Sequence, residues 1–382
     1  MRLRVLWTSL LLLLPCSIAA ADDAVGLWNA DHLIAPQEAR FFKHLRQLTF
    51  EGENAEAYWS PDSKALIFQR TPHGDPAVTC DQIYTIRLDT KAPEPQLVST
   101  GQGRTTCAWL IPNSGGKLLY ASTHAADPAC PPPPDRSKGY VWPLYHGYDI
   151  FQADGDGSNL GPLVQGPDYD AEATVDMAGH RMVYTALRDG DLNLFVRDLS
   201  TGEEIQVTDR EGYDGGAVWS PAGTRIAWRA HYPEGEALAD YRALLVEHLI
   251  RPGKLELWVA RWDGSGAKQV TNNGAANFGP WFMPDGRQLL FSSNVSDASG
   301  RGREFDLHLV ELGSGATTRV TFTQGFDGFP MFSPDGKYLA FCSNRGGSHE
   351  GNTNVFIAEW NHAWNRGGWY GFREVPHDHR MP

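Results

Sequence analysis

The sequence predicts an all-β fold, a six-bladed β-propeller closed by an N-terminal outer strand that completes the last blade. Three observations predict it: a strand-and-turn phrase that recurs six times, an apolar strand after each copy, and a third, alternating strand after that. Successive copies lie roughly 45 to 65 residues apart, a spacing typical of propeller blades with loops of variable length. A short outer strand completes each unit, and repeated four-stranded units form a propeller.

The recurring phrase combines a half-buried strand with a tight turn. Its aromatic and β-branched residues suit the strand, and Pro-Asp-Gly suits the turn. The third copy lacks the proline. The six copies are Tyr58–Asp62, Trp109–Asn113, Thr174–Gly179, Val218–Gly223, Trp281–Gly286 and Met331–Gly336.

Closure of the ring is predicted from the two ends of the repeat region. The sixth unit ends near Trp360 with three strands, and the segment Leu45–Thr49 before the first phrase has the pattern of the missing outer strand. The N-terminal strand is therefore expected to complete the last blade. Such closure removes exposed sheet edges.

The repeats resemble those of TolB-like six-bladed propellers, which carry WD40-like PD40 repeats. The resemblance rests on Leu48–Asp62 and Val320–Gly336 and covers roughly residues 44–360. The same repeat type forms the propeller of prolyl-oligopeptidase-like peptidases. Two departures matter: TolB has an additional N-terminal α/β domain, and the peptidases have a hydrolase domain that this chain has no room for. The resemblance implies the fold more strongly than a function.

The N-terminus has the features of a cleavable secretory signal. Two arginines precede the apolar run Val5–Ile18, which at about 14 residues is too short to span a bilayer comfortably. Small residues up to Ala21 suit cleavage there; a lipoprotein signal would use Cys16, but Pro15 stands where a small residue is needed. We predict a signal peptide at 1–21, an extension at 22–43, the propeller at 44–360 and a tail at 361–382, in a periplasmic or secreted protein.

Charge and cysteine content narrow the classes of partner and the compartment. Loss of two arginines with the signal changes the formal net charge from −13 to −15. This acidity argues against nucleic acid and anionic lipid, which need clustered Lys and Arg, and a monomer without membrane insertion is expected. In an oxidising compartment we expect Cys80 to pair with Cys130 or Cys107, and Cys342 to be a buried small hydrophobe.

The acidic loops that enter the inner strands provide the first set of candidate binding residues. In a propeller these loops share one face and surround the mouth of the central channel, so their carboxylates would attract a cation, a metal or a basic peptide. The structural alternative is that each side chain caps backbone donors at a strand start. The candidates are Glu53, Asn54, Glu56, Asp170, Glu172, Asp214, Asn277 and Asp327.

Two long insertions share the same face. One runs from His124 to His146 and the other from His231 to Lys254. Tyr140, Trp142, Tyr145 and Tyr148 could present an aromatic patch to a partner, or the insertions could cover blade edges and pack against the ring. His124 and His231 end second strands near the mouth and are candidates for a metal site with the carboxylates, although a lone loop histidine is more often structural.

We favour binding over catalysis, because the ring carries no nucleophile elbow, P-loop or paired zinc-binding histidines. The prediction is a binding or scaffold module for a protein or peptide of the cell envelope, without a cofactor. The alternative is a metal-assisted lyase or hydrolase that uses the acidic mouth. A third reading, a substrate-recognition partner of a separate peptidase, rests on the repeat type alone.

Overall fold

Strand pairing in the computed structural model confirms an all-β propeller. The structure describes residues 28–72, 80–347, 349 and 351–362. The predicted signal peptide, its alternative Cys16 and most of the predicted tail lie outside the described residues. Four-stranded antiparallel units follow one another along the chain, and we number them 1 to 6. A single parallel pair, Leu192 with Tyr213, joins units 3 and 4 into one eight-stranded sheet.

Each unit is given from its innermost strand outwards. Strand β1 (Phe42–Gln47) precedes the units. Unit 1 contains β2 (Glu53–Trp59), β3 (Ala65–Thr71), β4 (Gln82–Arg87) and β5 (Gln96–Leu97). Unit 2 contains β6 (Thr105–Leu110), β7 (Leu118–Ser122), β9 (Asp149–Ala153) and β10 (Gly161–Val164), with β8 (Trp142–Pro143) in its insertion. Unit 3 contains β11 (Asp170–Val175), β12 (Arg181–Arg188), β13 (Asp191–Asp198) and β14 (Glu204–Gln206).

The second half repeats this arrangement. Unit 4 contains β15 (Tyr213–Trp219), β16 (Arg225–His231), β18 (Glu256–Arg261) and β19 (Lys268–Gln269). Its insertion holds helix α1 (Glu236–Val246) and strand β17 (Leu249–Ile250). Unit 5 contains β20 (Asn277–Phe282), β21 (Gln288–Ser293), β22 (Asp306–Glu311) and β23 (Thr317–Arg319). Unit 6 contains β24 (Asp327–Phe332), β25 (Tyr338–Ser343) and β26 (Asn354–Trp360), and β1 pairs with β26 as its fourth strand.

In the first, fourth and sixth copies of the phrase, a serine holds the turn that follows the inner strand. Ser60 Oγ accepts a hydrogen bond from the backbone N–H of Ala65 at 2.9 Å, and Ser333 Oγ accepts one from Tyr338 at 3.0 Å. In the third copy Asp176 takes this position, and its carboxylate accepts from the backbone N–H of His180 at 2.8 Å. That turn therefore forms without proline because a side-chain acceptor is retained.

In the first and fourth copies, the tryptophan directly before the serine connects inner strands of different units. Trp219 Nε1 donates to the carbonyl of Thr174 in unit 3 at 3.1 Å, and Trp59 Nε1 donates to the carbonyl of Met331 in unit 6 at 3.1 Å. A buried indole N–H normally finds such an acceptor. The second of these bonds connects the first unit of the chain with the last.

The N-terminal extension packs against unit 6 through a buried ionic cluster. Glu38 lies in a short 3₁₀ helix (Glu38–Arg40) and is fully buried. Its oxygens accept from Arg345 at 3.0 and 3.2 Å, and Arg345 also donates to Asp327 at 2.9 Å. The predicted outer strand Leu45–Thr49 is observed at Phe42–Gln47, with Leu45 opposite Ala358.

The two insertions combine into one cover, which we call the lid (residues 124–148 and 231–254). Leu249 of β17 pairs with Pro143 of β8, and a Cys80–Cys130 disulfide ties the lid to unit 1. This disulfide settles the pairing, because Cys107 is a buried free thiol. Among the described residues no helix is long and apolar enough to cross a membrane.

Candidate functional site

One residue near the start of each inner strand has a left-handed backbone. The φ angles at this position lie between 48° and 60°, and the register of the inner pair shifts there in each unit. A β-bulge of this kind redirects a side chain, and all six residues line one central cavity. They are Glu56, Cys107, Glu172, Gly216, Gly279 and Phe329.

Aromatic side chains close the cavity two residues further along the strands. Trp109 and Trp281 lie three units apart in the chain, yet their ring centroids are 6.0 Å apart, so they meet across the channel. Tyr58 packs on Trp109 at 5.1 Å. We call the space the well: the six bulge residues form its wall, Tyr58 and Trp281 form its floor, and Trp109 packs against both floor rings. Its volume is about 30 Å³, enough for one or two water-sized groups and too small for a sugar ring.

An ion pair occupies one side of the well. Glu172 Oε1 pairs with Arg229 Nη2, and both side chains are about nine-tenths buried. The other carboxylate oxygen of Glu172 accepts from Thr185 Oγ1 at 2.9 Å and from the backbone N–H of Gly216 at 2.9 Å. The Arg229 guanidinium also lies 5.4 Å from the ring centroid of Trp142, so the lid reaches the well. This pair is held from both sides.

Two glycines provide the room for this ion pair. A Cβ atom on Gly216 would lie 1.9 Å from Arg229 Nη1, and one on Gly215 would lie 2.5 Å from Glu172 Oε2. Gly216 also has a φ of 60°, where side chains are disfavoured. The sequence Gly215-Gly216 therefore places Arg229 where four of the other five units have a side chain on the inner strand.

The second carboxylate of the well, Glu56, has a different environment. Burial raises the pKa of Glu56, and the nearby charge of Glu172 raises it further, although a hydrogen bond with Cys107 opposes this. Tyr58 OH lies 3.3 Å from Glu56 Oε2. Burial also raises the pKa of the Cys107 thiol well above its usual value, so the thiol stays protonated and can donate.

Four other predicted mouth residues lie at an earlier position of the inner strands and are buried inside their units. Asp214 accepts from Trp228 Nε1 and Tyr232 OH, both at 2.6 Å, and Asp170 pairs with Arg188 at 3.4 Å. Burial raises the pKa of Asp214 to about 7 and that of Asp170 to about 6. Asn277 and Asp327 have the same place in units 5 and 6. We call these four residues the joint positions.

The remaining candidates are distributed around the mouth. Glu53 is exposed, whereas Asn54 is buried and donates to the carbonyl of Thr353 at 2.8 Å. Tyr140 is 71% exposed at the lid surface, and its hydroxyl accepts from Trp142 Nε1 at 3.1 Å. Trp142 is half-buried. The aromatic pair thus has one member exposed and one directed to Arg229.

The structure keeps the two candidate histidines apart from the well. His124 packs on Phe151 with ring centroids 4.4 Å apart and contacts Ser122 Oγ at 2.9 Å. Burial lowers the pKa of both His124 and His231. In the described part of the chain, the three-residue group with metal-ligand spacing is instead His146, Asp168 and His248 at the lid.

The sequence analysis did not identify Cys107 or Arg229 as residues that line the well. Aligning the six phrases two residues upstream of their aromatic position would have placed Cys107 beside Glu56 and Glu172. Arg229 lies on a second strand, and its approach to the channel depends on the two glycines, which no repeat pattern shows.

Relatives with similar sequences match over part of the chain. An uncharacterized protein of Agrobacterium fabrum is 24% identical over 131 residues, 34% of this chain and 38% of that protein. An uncharacterized peptidase of Bacillus subtilis, YuxL, is 28% identical over 151 residues, 35% of this chain and 23% of the peptidase. The matches thus span well under half of either relative. No family model matches the sequence.

Similar solved structures support the propeller fold. A TolB-type protein of Agrobacterium tumefaciens has a TM-score of 0.53 at 19% identity, covering 81% of this chain and 91% of the other. TolB of Acinetobacter baumannii has a TM-score of 0.51 at 16% identity, covering 81% and 64%. At such identities the likeness concerns the fold.

Proposed function

We propose that this protein is an exported binding module that holds a basic side chain of a protein or peptide partner in the well. The observation that carries the proposal is the composition of the well: two carboxylates, Glu56 and Glu172, face one guanidinium, Arg229. Glu172 is already paired with Arg229. One acidic group is therefore in excess in a site from which most water is excluded.

The floor of the well supports the same class of ligand. A cation over the face of Trp or Tyr is attracted by the ring, and the attraction is stronger where water is excluded. Tyr58 and Trp281 supply two such rings in the lining of the well, and Trp109 packs against both. A lysine or arginine tip would give Glu56 a counter-ion, which favours its charged form. The volume of the well suits a lysine ammonium or one edge of a guanidinium, with the rest of the partner on the mouth face.

The proposal includes a closed six-bladed ring and export. Pairing of β1 with β26, the Trp59–Met331 bond and a backbone bond from Asn54 to Thr353 at 3.0 Å support closure between units 1 and 6. Export rests on the N-terminal sequence pattern. N-terminal sequencing of protein purified from the periplasmic fraction should begin just after Ala21; an intact Met1 in that fraction would contradict a cleaved signal.

The partner can be identified and the well tested in one experiment. A photo-crosslinking amino acid in place of the exposed Tyr140 would capture the partner in cells, and the captured segment would then be synthesised. We expect Glu56→Gln to weaken binding of that peptide at least tenfold, about 1.4 kcal/mol. The matched control is Glu203→Gln, because Glu203 is exposed on a distant hairpin.

Two outcomes would contradict the proposal. One is equal affinity of the peptide for wild type and Glu56→Gln. The other is equal affinity of wild type for the peptide and for a version whose lysines and arginines are replaced by glutamine. The enzyme alternative relied on Asp170, Glu172, Asp214, Asp327, His124 and His231. Among the described residues these six do not form a three-residue group with metal-ligand spacing.

A further inference from the structure

Three side chains with metal-ligating atoms meet at the edge of the lid. His146 follows β8, His248 precedes β17, and Asp168 lies in the loop that enters β11. One ligand atom from each lies within 4.8 Å of the other two. His146 Nδ1 is 3.3 Å and His248 Nε2 is 4.0 Å from the same oxygen, Asp168 Oδ1.

The surrounding backbone fixes this arrangement. The backbone N–H of Leu144 donates to the carbonyl of His248 at 2.7 Å, which extends the pairing between β8 and β17 towards the two histidines. Their ring centroids are 5.3 Å apart. The three residues come from distant parts of the sequence, so the lid must be folded for them to meet.

We propose that His146, Asp168 and His248 bind one divalent transition-metal ion that fastens both insertions of the lid to the ring. Two imidazoles and a carboxylate suit Zn²⁺ and its neighbours, whereas Mg²⁺ and Ca²⁺ prefer oxygen ligands alone. Ligand atoms around tetrahedral Zn²⁺ are roughly 3.4 Å apart, from metal–ligand distances near 2.1 Å. The observed separations therefore need only a small movement of side chains that are at least one-third exposed.

Three protein ligands leave one position of a tetrahedral ion open to water or to another group. The site is distinct from the well, and its metal binding does not depend on the partner proposed above. Metal binding should instead act on the lid, because one ligand comes from each insertion and the third from the loop entering unit 3. The structural consequence is a lid held by the metal in addition to the Cys80–Cys130 disulfide.

The test uses Zn²⁺ as the probe on the full mature protein, stripped of metal with a chelator. Isothermal titration should show one site that His146→Ala and His248→Ala each weaken at least tenfold. The matched control is His44→Ala: His44 Nδ1 contacts Asp31 at 3.1 Å, and the side chain is 65% exposed against 66% for His146. This control pair is a histidine beside a carboxylate outside the lid.

A second measurement reports on the lid itself. Zn²⁺ should slow proteolytic cleavage within residues 124–148 and 231–254 in wild type and in His44→Ala, and should have no such effect in His146→Ala. All three variants change exposed or half-exposed residues, so folding can be checked by circular dichroism. Equal Zn²⁺ affinity of wild type and His248→Ala, or lid protection that survives His146→Ala, would overturn the proposal.

Discussion

Carboxylates at the joint positions and carboxylates in the well differ in their surroundings, although the two positions lie only two residues apart on the same strand. In unit 3, Asp170 is buried against Arg188 within its own unit, whereas Glu172 faces the central cavity. In unit 6 the joint residue Asp327 bonds the buried Arg345, and the bulge position carries Phe329. The bulge, and not the acidity of the loop, therefore determines which side chain reaches the axis.

The two sets of carboxylates also differ in what balances their charge. Asp327 and Glu38 share Arg345 in a region without solvent contact, so this cluster has a structural role. Glu172 is paired with Arg229, and both line a cavity that is also lined by Glu56. A ligand can therefore alter the balance in the well but cannot reach the joint in unit 6.

The largest effect should come from removing Arg345, the cation that pairs with both Glu38 and the joint residue Asp327. Arg345→Ala leaves Glu38 and Asp327 buried without their cation, which typically costs about 3–5 kcal/mol of folding free energy. Urea unfolding followed by tryptophan fluorescence would measure it, with the exposed Arg301→Ala as control. A loss below about 1 kcal/mol, the range of surface ion pairs, would show that this buried cluster does not stabilise the fold.

Much of the fold could be predicted from the sequence because the phrase encodes a strand, a turn and an aromatic anchor together. Even the third copy, without proline, formed its turn since Asp176 replaced the serine. The site was predicted less well. The sequence assigned Glu56, Asp170, Glu172 and Asp214 to one ring, because residue type does not show which position of the inner strand has the left-handed backbone of the bulge.

The next effect concerns pH and separates Asp214 from the well. A folded-state pKa of about 7, against 3.8 for the free group, means that folding favours protonated Asp214. Its contribution is present at low pH and is lost as pH rises from about 4 to about 7. We expect Asp214→Asn to remove about 3 kcal/mol of the fall in stability between pH 5 and pH 8.

Urea unfolding of wild type and Asp214→Asn at both pH values measures this difference directly. Subtracting the stability change of one protein from that of the other cancels the contributions of Asp170 and Asp306. Burial raises the pKa of each of these two groups to about 6 as well. Asparagine keeps an oxygen to accept from Trp228 and Tyr232, so the variant should fold. Parallel pH profiles for the two proteins would place the titration elsewhere.

A smaller effect tests the room made for Arg229. Gly216→Ala and Gly266→Ala both place a side chain on a left-handed residue, with φ of 60° and 68°. A Cβ on Gly266 meets nothing within 4 Å, whereas one on Gly216 lies 1.9 Å from Arg229 Nη1. Gly216→Ala should therefore be less stable than Gly266→Ala by about 1–3 kcal/mol. Equal losses in thermal unfolding would mean that backbone strain alone explains both.

The smallest change in the free energy of unfolding should come from replacing Glu56 in the well, and its sign should be opposite to that of Arg345→Ala. Because burial and the charge of Glu172 raise the pKa of Glu56, its ionised form disfavours folding once the pH exceeds the usual value for glutamate. Glu56→Gln should therefore leave the free energy of unfolding at pH 8 unchanged or raise it, by no more than about 1 kcal/mol. Chemical unfolding of Glu56→Gln beside Arg345→Ala makes the contrast measurable. A loss of several kcal/mol for Glu56→Gln would show that this carboxylate stabilises the fold as Asp327 does. It would contradict the proposal that Glu56 binds a ligand in the well.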